Sequence, residues 1–393
     1  MDTLIELCDE RPMENVLATD VFRPKRTVFI CEKAMANDKD AQKKLREYFR
    51  YRGVDTELDF FSAKQYSASS VLTELKKVVS MYPECVLDIT GGTDDELFAS
   101  GLLCAEKDIP VFTYSIKLNR FFNINRASFP DGLECTVQYC VEDFFRMAGG
   151  AMRSGRVDNR ILSNYSEIFE PFFNIYLENR RNWGNIITYM QQISRPRSEG
   201  EIPLSVSGEY VQKGARGKRI EAPVKALRAF EKIGMIRELN ITAGEKVEFS
   251  FADRQIRSWL RDIGGVLELY TYKLFCDSGL FNDVRTSVVV DWEKNSDRNG
   301  VTNEIDVMAV KNVTPVFVSC KTCAVSTEAL NELAILRDRF GGSAANAMIV
   351  TTERGTAPMR SRAQELAIQV IELDDFLKGR AAGRINAFMQ PKF

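Results

Sequence analysis

Over roughly the first 140 positions, short apolar blocks alternate with longer amphipathic ones, which predicts strands and helices in turn. The runs 27–30, 85–89 and 111–114 are apolar enough for buried strands, and 56–61 reads as another. The charged stretches 40–51, 69–80 and 95–107 fall between them with helical spacing, the first stopping at Gly53 and the last leading to Pro110. This order predicts a parallel, doubly wound sheet with helices on both faces.

From about 150 to 255 the pattern is mainly helical. A helix over 167–192 is broken at Arg195-Pro196-Arg197, and one over 222–233 ends at Gly234 before a two-stranded wing, 236–241 and 246–250. From about 255 the reading is a helix over 260–277, a meander of strands 286–292, 302–310 and 315–322, a helix over 328–340 ended by Gly341-Gly342, a strand over 347–351, then a helix and a strand-like tail. At 393 residues the chain exceeds what one core serves, and three parts are expected, 1–150, 151–254 and 255–393.

Composition narrows the chemistry. The sequence contains no histidine, which removes Ser-His-Asp and Cys-His nucleophile systems and His-ligated metals. Hydrolysis here has to run on carboxylates, lysine and an oxygen-ligated cation such as Mg2+ or Mn2+. The nine cysteines are scattered, and Cys320-Lys321-Thr322-Cys323 lacks the second pair that a tetrahedral zinc site needs. A formal net charge of -2 gives no global attraction for nucleic acid, so any such contact is local. The expectation is a cytoplasmic protein with reduced thiols, no signal peptide and no membrane span.

Two segments carry candidate chemistry. Asn303-Glu304-Ile305-Asp306 and Ser319-Cys320-Lys321-Thr322 read as neighbouring strands. Glu304 and Asp306 share one face of the first, while Phe317, Ser319 and Lys321 share one face of the second, opposite Val316, Val318 and Cys320. A carboxylate able to hold a divalent metal beside an ammonium able to handle a water is the equipment of a phosphodiesterase. A surface hairpin with an ordinary ion pair has the same spacing. Thr90-Gly91-Gly92-Thr93 lies between a predicted strand and helix, where glycines let a backbone approach a phosphate, or where Thr93 caps a helix behind a tight turn. The basic run over 213–219 suits nucleic-acid phosphates or a solvated connector.

Residues 1 to about 150 resemble a CRISPR-associated Rossmann-fold (CARF) sensor domain. The resemblance rests on Asp9-Glu10-Arg11-Pro12-Met13-Glu14-Asn15 after the first strand and Ile89-Thr90-Gly91-Gly92-Thr93 after the fourth. The C-terminal part resembles the PD-(D/E)xK nuclease fold, with a winged-helix-like connector between. The combination is similar to the CARF-nuclease effectors of type III CRISPR systems. It implies a homodimer that binds a cyclic oligoadenylate, commonly the tetramer, and then cleaves DNA, single-stranded or by nicking, and possibly RNA. The implied ligand contacts are Thr90, Gly91, Gly92, Thr93, Arg11 and Lys117, with Arg120 a further candidate cation. Asp94 departs from the basic residue that many relatives carry after the GGT.

By the same resemblance Asp306 matches the metal-binding aspartate, Lys321 the lysine and Glu268 the acid of the first nuclease helix. Ser319 stands where the pattern has Asp or Glu, and Glu332, or Glu328 one turn earlier, is the candidate replacement. The expected metal ligands are Asp306, Glu332 and the Cys320 carbonyl. The alternative is a ligand-responsive DNA-binding regulator whose nuclease fold is inactive because Ser319 replaced an acid.

Overall fold

The computed structural model describes residues 1–64, 66–153, 157–196, 202–214, 217–291, 302–342 and 345–390. Three sequence expectations touch residues outside these: Arg197 in the proline break, Ala215-Arg216 in the basic run, and Trp292 at a strand end.

The first part is a seven-stranded sheet. β1 (Thr3–Leu7), β2 (Arg26–Glu32), β3 (Glu57–Ala63), β4 (Cys85–Asp88) and β5 (Val111–Ser115) run parallel in the order β3-β2-β1-β4-β5. The sheet continues with antiparallel β6 (Arg120–Asn125) and β7 (Leu133–Glu134), an edge that the apolar pattern did not announce. The expected helices form at Lys39–Tyr51, Ala68–Met81 and Asp94–Lys107. Gly53 at φ 64° ends the first by taking a backbone angle that a side chain disfavours. Because β1, β4 and β5 are parallel, the loops after Leu7, Asp88 and Ser115 emerge at one rim.

The middle part begins with β8 (Ala151–Arg153), which joins the C-terminal sheet. The expected long helix is two, Ser166–Asn179 and Trp183–Ile193, separated by a tight turn at Arg180–Asn182. β9 (Ser205–Glu209) precedes a hairpin of β10 (Val211–Lys213) and β11 (Arg219–Glu221), so the described part of the basic run lies on a turn. The helix Val224–Lys232 leads to the wing, β12 (Ile236–Thr242) and β13 (Lys246–Phe251), which gains β9 as a third strand.

In the C-terminal part, the helix expected over 260–277 is interrupted. Arg254–Trp259 and Gly265–Asp277 are separate because Asp262 accepts the Gly264 N–H at 3.0 Å and turns the chain there. β14 (Asp283–Asp291), β15 (Thr302–Lys311), β16 (Thr314–Lys321), β17 (Asn346–Thr351) and β18 (Ile368–Ile371) form a sheet in the order β18-β17-β16-β15-β14-β8. The expected final helix and strand-like tail form as Ala357–Glu365 and β18, and two short helices that the pattern did not announce follow, Leu373–Leu377 and Ala381–Phe388.

This sheet is buried on both faces. Val316, Val318 and Cys320 join a core with the middle-part helices and with Gly265–Asp277. Phe317, Ala347 and Ile349 join the helix Thr327–Gly341 and, in the same cluster, Phe144, Phe145 and Tyr139 of the first part. The Phe145 ring meets Phe340 edge-on at 5.3 Å, and the Tyr139 N–H donates to the Asn312 carbonyl at 2.9 Å. The rim-bearing sheet and the C-terminal sheet thus share a core, with each large side chain worth about 1.5–3 kcal/mol of burial. No helix among the described residues is long and apolar enough to cross a membrane.

Candidate active site and sensor pocket

Asp306 on β15 and Lys321 on β16 lie on the same side of the C-terminal sheet. Lys321 Nζ stands 3.8 Å from Asp306 Oδ2. The antiparallel ladder between the two strands runs as far as Val307 opposite Val318 and then opens. There the Asp306 carboxylate takes over, accepting the Cys320 N–H at 2.6 Å and the Ser319 hydroxyl at 3.1 Å. In an extended strand the N–H and C=O of one residue point the same way, so the Cys320 carbonyl also faces Asp306. Burial raises the Asp306 pKa above its ordinary value; Lys321, the Cys320 N–H and the Ser319 hydroxyl oppose that shift, and the charge of Glu304 adds to it.

The opposite neighbour, β14, supports the same residue. Its pairing with β15 skips Ser287, which has φ 53° in mid-strand. The Thr286 hydroxyl donates to the Asp306 carbonyl at 2.7 Å, and the Ser287 hydroxyl donates to Glu304 Oε1 at 2.5 Å. A non-glycine residue in the left-handed region costs about 1–3 kcal/mol and marks a site that its surroundings over-determine.

Glu304, Asp306, Ser319, Lys321 and Glu332 line one small cavity of about 90 Å³ beneath the helix Thr327–Gly341. Glu332 accepts from Asn303 Nδ2 at 3.0 Å. Glu328 sits at that helix's N-terminus, where a backbone N–H and Ser326 hold its pKa below the usual value. Glu268 is not brought to this cavity; its charge is felt by the buried Cys320 thiol on the other face. Cys320 Sγ in turn meets the Thr271 hydroxyl at 3.6 Å.

Among the described residues, no three His, Cys, Asp or Glu side chains converge as a ready metal cluster. The acidic donors on the cavity wall are all hard oxygens, the carboxylates of Glu304, Asp306 and Glu332. That set fits Mg2+ or Mn2+ with water completing the shell, and does not suit a soft metal.

At the rim of the first sheet, a cavity of about 520 Å³ opens among Asp9, Arg11, Glu32, Lys64, Tyr66 and Gly92. Arg11 and Gly92 come together there, with Thr93 beside them. Lys117 does not join them; it lies on the turn after β5 and lines a separate cleft of about 1030 Å³ with Lys311 and Arg360 of the C-terminal part. The loop 8–15 is tightly built. The Asn15 side chain clamps the Asp9 backbone, accepting its N–H at 2.8 Å and donating to its carbonyl at 2.7 Å. A Cβ on Gly91 would approach Asp9 Cβ to 3.1 Å, so a side chain there would crowd the contact between the two loops.

The hydroxyl of Thr90 faces inward, donating to Asp88 at 2.5 Å and accepting the Tyr114 N–H at 2.8 Å. Burial pushes the pKa of Asp88 up to about 7 against the Thr90 hydrogen bonds, and that of the neighbouring Glu6 well above the carboxylate range. Thr93 is a helix N-cap, its own N–H taken by Glu96 at 2.8 Å.

Sequence reasoning missed three contributors. Glu304 had the right alternation but no assigned role. Asp9 was visible only as part of a motif. The Ser287 kink has no local signal, being a non-glycine residue in a strand-like run.

Residues 257–382 match the family model of the Card1-like endonuclease domain. Over its whole length the chain is similar in structure to protein VC1899 from Vibrio cholerae, with TM-score 0.74 at 17% identity over 98% of this chain and 97% of that one. It is also similar to Can2 from Sulfobacillus thermosulfidooxidans, a structure in complex with cyclic tetra-adenylate, with TM-score 0.69 at 16% identity over 98% and 100%. No curated protein matched the sequence.

Proposed function

Starting from a chain that has the CARF-nuclease fold and carries a Card1-like endonuclease domain at residues 257–382, we propose that it is a metal-dependent endonuclease switched on by a cyclic oligoadenylate, in cytoplasmic type III CRISPR defence. The observation that carries the catalytic half is the Asp306–Lys321 pair, 3.8 Å apart, with the Cys320 N–H donating to the same Asp306 oxygen. The similarity to Can2, solved with cyclic tetra-adenylate, supports the sensor half.

Asp306, the Cys320 carbonyl and one of Glu332 or Glu304 would hold the divalent ion. When bound, that ion supplies a Lewis acid and a water of lowered pKa. Lys321 orients the attacking water toward phosphorus and steadies the charge that develops on the phosphoryl oxygens. Ser319 keeps Asp306 turned to the site. In-line attack leaves a 5'-phosphate and a 3'-hydroxyl. The reaction needs no 2'-hydroxyl, so DNA is the proposed substrate, single-stranded or nicked in a duplex, and RNA is chemically open to the same attack.

On the sensor side, Arg11, Gly91, Gly92 and Thr93 approach the ligand's phosphates. A ring of even size with two-fold symmetry matches two copies of the chain placing the same loops around it, hence a homodimer. Incubation with Mn2+, plasmid and single-stranded DNA and RNA, with and without cyclic tetra-adenylate, tests both halves. Ligand-dependent cleavage supports the reading, and ligand-independent or absent cleavage opposes it.

A further inference from the structure

Three backbone donors of the glycine turn, those of Thr90, Gly92 and Thr93, are already engaged by the protein's own carboxylates. Asp88 takes the Thr90 N–H at 2.7 Å, Glu96 the Thr93 N–H, and Asp9 Oδ2 the Gly92 N–H at 3.1 Å. Of the three, only Asp9 also grips a cation of the pocket. Arg11 chelates it with Nε at 2.7 Å and Nη2 at 2.5 Å, and the Arg11 N–H adds a bond at 2.9 Å. The Arg11 guanidinium therefore spans both Asp9 oxygens, Oδ2 being shared with the Gly92 N–H and Oδ1 with the Arg11 N–H. This is how a phosphate's oxygens are held.

Resting on the sensor reading above, we propose that Asp9 is a built-in substitute for a ligand phosphate, and that a cyclic oligonucleotide's phosphate displaces it from Gly92 and Arg11. The loop's construction supports exchange rather than a simple docking site. The Asn15 clamp holds the Asp9 backbone, so the carboxylate leaves by rotating its side chain while the loop stays put.

The same loop abuts the nuclease part. The Arg11 side chain packs against the end of the helix Thr327–Gly341: a Cβ on Gly342, which has φ 61°, would stand 3.3 Å from Arg11 Cβ and 3.7 Å from Arg11 Cγ. That same helix carries Glu332 into the cavity with Asp306 and Lys321. The exchange at Arg11 thus takes place on the loop that abuts the helix carrying a wall of the candidate catalytic cavity.

The test is cyclic tetra-adenylate affinity of the full-length chain by titration calorimetry, for the unaltered protein, Asp9→Asn and Asp9→Ser, with thermal unfolding to establish that each variant is folded. Removing the competing charge is expected to tighten binding about tenfold in either folded variant. Affinity unchanged or weakened in the folded variants overturns the proposal while leaving the sensor reading intact. Failure of the unaltered protein to bind cyclic tetra-adenylate is the separate outcome that overturns the sensor reading itself.

Discussion

Lys321 Nζ stands 3.8 Å from Asp306 Oδ2, while the Cys320 N–H, between them in sequence, donates to that same oxygen at 2.6 Å. One carboxylate oxygen thus organises both the cation and the backbone of β16. Replacing Lys321 with Ala removes the ammonium and leaves this backbone bond in place. Cleavage should fall at least about 100-fold, the scale of a lost general acid–base or charge-stabilising group. Circular dichroism and ligand affinity should be unchanged, and retained metal-dependent cleavage in Lys321→Ala would remove the residue from the mechanism.

Ser319 leaves the metal site one acid short, and two carboxylates share the cavity that it faces. If Glu332 completes the shell, Glu332→Gln raises the Mn2+ concentration needed for half-maximal cleavage by about 10- to 100-fold, with Glu304→Gln milder. Glu304 is held by Ser287 at 2.5 Å, which favours a supporting role for it. A reversed ranking in a metal titration would transfer the ligand role to Glu304.

Chelation gives a cleaner check of the donor set. Hard oxygen donors predict that EDTA abolishes cleavage, that Mn2+ or Mg2+ restores it and that Ca2+, which prefers a larger and looser shell, restores it poorly. Full activity in EDTA would rule out the metal-dependent reading.

The pH dependence of stability should reveal the buried pair in the first sheet. Asp88 is pushed up to about 7 by burial, and Glu6 beside it is raised well above the usual range. A carboxyl with a raised folded-state pKa contributes stability that is fully present below its unfolded value near 4 and lost as pH rises through its folded value. The melting temperature should therefore decline between about pH 5 and 8. Asp88→Asn, which can still accept from Thr90, should flatten that decline. An unchanged slope in Asp88→Asn would show that Asp88 is ionised throughout.

Much of this was legible in the sequence because it is local. Phe317, Ser319 and Lys321 face the helix Thr327–Gly341 side of the sheet, as strict alternation requires, and Gly53 and Gly342 end their helices where the sequence places them. The split at Asp262–Gly264 was missed because the flanking residues keep helical spacing while a side-chain-to-backbone bond turns the chain. Asp9's hold on Gly92 joins residues 83 positions apart, and nothing in either segment alone reports it. Lys117 was assigned by charge and proximity to the rim, but the β5–β6 turn carries it into a separate cleft lined by the C-terminal part. Glu268 shares a helix face with Tyr272 in sequence, yet it does not line the cavity of Asp306 and Lys321, and its charge acts on the buried Cys320 thiol.

The most direct measurement is cleavage of single-stranded and plasmid DNA by the purified protein with Mn2+, with and without cyclic tetra-adenylate, alongside Asp306→Asn. The account predicts cutting only when metal and cyclic nucleotide are both present, and none by Asp306→Asn. Equal cutting by the unaltered protein and Asp306→Asn would contradict it.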